Sequence, residues 1–83
     1  MSELEKIEAG VRRFRAINSD GRTVALMKAV RITCGSLTGK LRFALDDLGK
    51  DKTRHFADFD AAYRALRAKV RNGGSIESYE YEF

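Results

Sequence analysis

Eighty-three residues, 43% hydrophobic and 34% charged, read as one globular domain over 1–83 and exclude a disordered chain or a multi-domain protein. No apolar run approaches the roughly 18 residues of a membrane span, so a membrane partner is not expected. The net charge of +4 is segregated, with −2 over residues 1–8, −3 over residues 73–83 and +9 between them.

Ser2-x-x-Glu5 spells a helix-capping box, and Leu4, Ile7, Val11 and Phe14 fall at helical spacing. A single helix to Ile17 would place acids early and Arg12, Arg13 and Arg15 late, as the helix dipole prefers. Gly10 interrupts that helix at a cost near 1 kcal/mol. Val11 to Ile17, followed by Asn18-Ser19-Asp20-Gly21, reads better as a strand entering a turn. The segment therefore predicts a short helix to about Ala9 and then a strand.

Along Thr23 to Thr33, Val24, Leu26, Val30 and Ile32 share one parity, broken by Lys28, which suits a second strand. Cys34-Gly35-Ser36-Leu37-Thr38-Gly39 is a loop. Leu41, Phe43 and Leu45 then alternate with Lys40, Arg42, Ala44 and Asp46 as a third strand. Asp47 to Asp51 turns the chain, and Lys52 to Ala57 returns as a short fourth strand.

Asp58 stands at an N-cap position, and Phe59, Ala62, Tyr63, Leu66 and Val70 form one helical stripe. Asn72-Gly73-Gly74 stops this helix, predicted over about 58–72. Over 75–83, Tyr79, Tyr81 and Phe83 alternate with Ser78, Glu80 and Glu82 in the period of a strand. The aromatic parity is expected beneath the helix, with Ser78, Glu80 and Glu82 facing outward. The fold class is α+β: an antiparallel β-meander of three to four strands, one main C-terminal helix on one face, a final strand, and a short N-terminal helix.

Reactive chemistry is sparse. Gly35-Ser36-Leu37-Thr38-Gly39-Lys40 resembles a phosphate loop only superficially. That loop needs four residues between its glycines and a Ser or Thr after the lysine, where this chain has three and Leu41. Cys34 and His55 are the sole members of their kinds, too few for a zinc site, and nothing in the sequence pairs them as nucleophile and base. Asp46, Asp47 and Asp51 lack calcium-loop spacing and read as turn chemistry. No catalytic residue, metal or cofactor is expected. The lone cysteine and the absence of a secretory signal in the first residues point to a reducing, cytoplasmic setting.

The charged surface offers more. Asp60, Arg64, Arg67 and Arg71 form a line along the helix beside its apolar stripe. Asp60 is expected to pair with Arg64, which leaves Arg67 and Arg71 without an acid at i−4 or i−3. A guanidinium fork binds carboxylates and phosphates alike, so Arg64, Arg67 and Arg71, with Arg13 and Arg15 of the first strand, are the candidate binding residues. The competing explanation is a helix flank that arginine merely keeps solvated. An aromatic strand near basic residues would also suit single-stranded nucleic acid, but Glu80 and Glu82 would repel phosphate, which favours a core role for the rings.

These features suggest a small non-catalytic interaction protein, an inhibitor or adaptor of the phage or mobile-element type. It would bind an acidic protein surface or a nucleoprotein complex through its basic helix flank and loops. So small a core also gains from pairing with a second copy. The alternative is a helix-turn-helix DNA-binding regulator with residues 36–48 as the recognition helix, against which Gly39 and the alternation of Leu41, Phe43 and Leu45 both count.

Overall fold

The computed structural model describes residues 2–70 and 73–82, and Arg71 and Phe83 lie outside them. Its elements are α1 (Glu3–Glu8), β1 (Arg12–Ile17), β2 (Thr23–Arg31), β3 (Leu41–Asp47), β4 (Lys52–Phe56), α2 (Phe59–Arg67) and β5 (Ser75–Glu80). The fold is α+β. Five antiparallel strands form one sheet in the order β4-β3-β2-β1-β5, with α2 packed on it and α1 against β1 and β2.

Local sequence explains where the helices begin and end. In α1, Ser2 Oγ accepts from the Glu5 N–H and Glu5 Oε1 from the Ser2 N–H, completing the capping box. Gly10 then ends the helix rather than bending it. At φ +77° it directs its own N–H to Ile7 O and the Val11 N–H to Lys6 O, the paired bonds of a Schellman motif. A Cβ here would stand 3.2 Å from the Ala29 carbonyl oxygen, so the position also lets the chain pass close to β2.

Helix α2 starts as expected, with the Asp58 carboxylate accepting from the Ala61 N–H at 2.8 Å. It is shorter than the stripe implies. Lys69 N–H turns to Leu66 O and Val70 N–H to Arg67 O, tightened i→i+3 bonds that close the helix before the glycines. Val70 still packs on the core from this last turn.

The buried layer alternates small and large residues. Ala16, Ala25, Ala29 and Ala62 bring the helix close to the sheet, while Met27, Phe43, Leu45 and Leu66 fill the remaining space. Phe59 meets Phe14 and Phe43 edge-on at ring-centroid distances of 5.4 and 5.8 Å, and stacks on Tyr63 at 5.6 Å.

Three expectations need correction. The segment 36–48 is an exposed loop followed by β3, so the recognition helix of a helix-turn-helix is not formed. The pairing of Leu41, Phe43 and Leu45 with β2 and their burial against α2 favour the strand. The final strand carries the opposite parity inward. Ile76, opposite Ala16, packs on the core, and Tyr79 and Tyr81 lie on the other side of the sheet. Asp60 and Arg64 make no ion pair among the described residues, since both side chains extend into solvent.

Candidate functional site

Both helices pack on the face that holds Phe14, Met27 and Leu45, so among the described residues the opposite face of the sheet carries no helix. Side chains on paired strands share a face when their Cα atoms are partners. The register therefore arranges this open face in three rows. In the first, two separate pairs stand: Tyr81, tied to the Val11 carbonyl through its N–H at 2.7 Å, and Val30 with its partner Arg42, since the paired register of β1 and β2 begins only at Phe14 and Met27. In the second, Tyr79 partners Arg13; Arg13 falls in step with Lys28 because Phe14 partners Met27; Lys28 partners Ala44, and Ala44 partners His55. The third runs Glu77, Arg15, Leu26, Asp46, Thr53.

Charge is unequal among the rows. Among the described residues the first two hold Arg13, Lys28 and Arg42, two tyrosines and a histidine, with no acid. Both acids fall in the third row and both are engaged. Glu77 accepts from Arg15 Nη2 at 2.9 Å and Asp46 from Thr53 Oγ1 at 2.6 Å. The rings and cations are stacked: the Arg13 guanidinium lies 3.7 Å from the Tyr81 centroid and that of Arg15 5.4 Å from Tyr79.

Of Glu80 and Glu82, the two acids expected to repel phosphate, Glu80 points to the other side of the sheet and Glu82 is exposed just beyond the end of β5. Glu80 accepts from Lys6 Nζ at 2.8 Å and Arg12 Nη2 at 2.9 Å, while Arg12 Nε reaches Glu3 at 2.7 Å. The Lys6 hydrogen bond, then the charges of Lys6 and Arg12, hold the Glu80 carboxyl below its ordinary range. Glu3 and Glu80, one acid from each end of the sequence, thus meet beside α1 and engage Lys6 and Arg12. Neither acid reaches the other face, where Arg13 and Lys28 lie.

The four candidate arginines among the described residues do not form one patch. Arg13 and Arg15 belong to the open face. Arg64 is exposed on α2, on the far side of the sheet, and Arg67 lines a groove of about 530 Å³ with Tyr63, Val70, Gly74, Ser75 and Ile76. Arg71 lies outside the described residues. Lys28, Arg42 and Tyr79 were missed as a group because they are far apart in sequence and only strand pairing joins them.

In a second basic cluster, folding brings Lys69 to three cations that are close together in sequence. Lys50, Lys52, Arg54 and Lys69 line a cavity of about 220 Å³ around Asp47. Asp47 accepts a 2.5 Å hydrogen bond from Lys69 Nζ, the main cause of its lowered pKa, with Lys50 and the Gly49 N–H adding to it against partial desolvation.

Cys34 is exposed in the β2–β3 loop and His55 on β4. Thr38 Oγ1 donates to Gly35 O at 2.6 Å within that loop, a turn closing on itself. Among the described residues no three His, Cys, Asp or Glu side chains gather as metal ligands would, and no helix is long and apolar enough to cross a membrane. No protein-family model matches the chain, and neither a curated protein nor a solved structure matches it.

Proposed function

We propose that this chain is a non-catalytic docking protein that holds an anionic macromolecule against the open face of its sheet. The observation that carries this reading is the gathering of Arg13, Lys28 and Arg42 on one face of the sheet, with both acids of that face among the described residues confined to its far row. A surface of one sign spread over three strands attracts polyanions and steers their approach. The helix flank is secondary, because Arg64 and Arg67 stand across the sheet from these cations. Docking without turnover suits an inhibitor or adaptor working in the cytosol on a nucleoprotein complex or an acidic protein.

Retention on an immobilised polyanion such as heparin tests this. The triple variant Arg13→Glu, Lys28→Glu, Arg42→Glu is expected to elute at much lower salt than the wild type, with an unchanged circular dichroism spectrum. The helix variant Arg64→Glu, Arg67→Glu should elute close to the wild type once its altered net charge is matched by a control reversing Lys40 and Arg22. Loss of retention in the helix variant alone would move the docking surface to α2.

A further inference from the structure

We infer that the occupant of the open face is a single-stranded polynucleotide, its bases laid on the Tyr79–Arg15 and Tyr81–Arg13 planes and its phosphates directed to Lys28 and Arg42. This rests on the docking reading above and narrows it to one chemistry.

Three features of the face select a single strand. First, the cations are interleaved with rings. An acidic protein would be drawn by the positive charge of this face but has no use for two tyrosines raised on it. Unstacked bases do, since they stack on aromatic rings and on guanidinium planes alike. In this protein the two kinds of plane are already joined, with guanidinium over ring at 3.7 Å for Arg13 and Tyr81.

Second, the spacing fits. Neighbouring strands are about 4.8 Å apart, so the tyrosines on β5 stand roughly 10 Å from Lys28 on β2 and roughly 15 Å from Arg42 on β3. That is the reach of a nucleotide from base to phosphate and on to the next phosphate. Tyr79 and Tyr81 are two residues apart on one strand, about 7 Å, the separation of successive splayed bases rather than of bases stacked at 3.4 Å in a duplex. A duplex hides the base faces that these planes would engage.

Third, the surface is half apolar where bases would lie. Leu26 and Val30 are partly exposed between the cations, and Tyr81 is 44% exposed. Of the acids near this surface, Glu80 is tied to Lys6 and Arg12 on the helix side, while Glu77 and Asp46, both in the third row, are engaged by Arg15 and Thr53. The Arg15–Glu77 pair is exposed and contributes little, so an arriving phosphate can exchange for Glu77.

Fluorescence anisotropy with a labelled 12-mer of single-stranded RNA, the matching DNA, the duplex, and polyglutamate separates the outcomes. The expected result is binding to the single strands at least ten-fold tighter than to the duplex or polyglutamate. It should weaken ten-fold or more in Tyr79→Leu and in Tyr81→Leu, because stacking on one ring is worth about 1–3 kcal/mol. Leucine keeps the strand apolar at these positions. Should either variant misfold, titration of the wild type with unlabelled oligonucleotide gives a second readout, because bases stacked on the phenol rings quench tyrosine emission. Equal affinity for single strand, duplex and polyglutamate, with no quenching and no effect of the leucine variants, would overturn the single-strand assignment and leave polyanion docking standing. Failure to bind any of the four probes would overturn both.

Discussion

Asp47 closes β3 and holds Lys69 beyond the end of α2, joining helix to sheet through one charge-assisted hydrogen bond of 2.5 Å. Because that bond lowers the carboxyl's folded pKa, its stabilisation is fully present above the unfolded carboxyl's value, near 4, and is lost as pH falls through the lower folded value. Glu80, lowered chiefly by its hydrogen bond from Lys6, behaves in the same sense. Stability measured by urea unfolding at pH 7, 4 and 3 should therefore fall at the acid end. Asp47→Asn should be less stable at pH 7 and show a smaller fall; parallel curves for variant and wild type would remove Asp47 from the acid response. At this scale the sequence shows what is local. Ser2 and Glu5 cap α1 and Asp58 caps α2 because a cap spans three residues. The Lys69–Asp47 bond joins residues 22 positions apart and leaves no local trace.

Among the elements, α2 depends on its stripe. Leu66 is fully buried against the sheet, and Leu66→Ala is expected to cost about 2–5 kcal/mol through lost burial and the cavity left behind. Arg64→Ala, on the exposed side of the same helix, should stay within about 0.5 kcal/mol. Denaturant midpoints check both, and similar values for the two would mean that the stripe does not anchor the helix. The stripe was legible because only one side of a surface helix carries large apolar residues. Strand β5 was misread because period-2 alternation defines two faces without saying which is inside. Tyr79 and Tyr81 are the larger apolar surfaces, yet Ile76, on the other parity, is the residue that reaches the core. An edge strand beyond the end of the helix needs only one such contact, so its aromatic parity is free to face outward.

In the whole molecule, β5 must return from α2 to the far edge of the sheet and pair with β1. Gly74 makes that return possible. A Cβ there would overlap the Ile17 carbonyl oxygen and stand 2.8 Å from the Asn18 Cα, both rigid backbone. Gly74→Ala should destabilise the domain by about 1–3 kcal/mol and loosen β5 from β1. With β5 loosened, Tyr79 and Tyr81 leave their places beside Arg13 and Arg15, so polyanion retention should fall together with amide-exchange protection in β1. Full retention despite lost protection would show that β5 is no part of the docking face.

Taken alone, the chain determined its elements, its capped helix ends, its apolar stripe and its excess of central positive charge. Each depends on residues within a few positions of one another. Which strands lie side by side, which parity of β5 points outward and which cations share a face were decided by the tertiary structure. Antiparallel pairing brings residues such as Tyr79, Arg13, Lys28 and His55 onto one face, while Glu3 and Glu80 are engaged on the opposite side by Lys6 and Arg12. Electrostatic and packing energies depend on distance in space, and only folding turns separation along the chain into that distance.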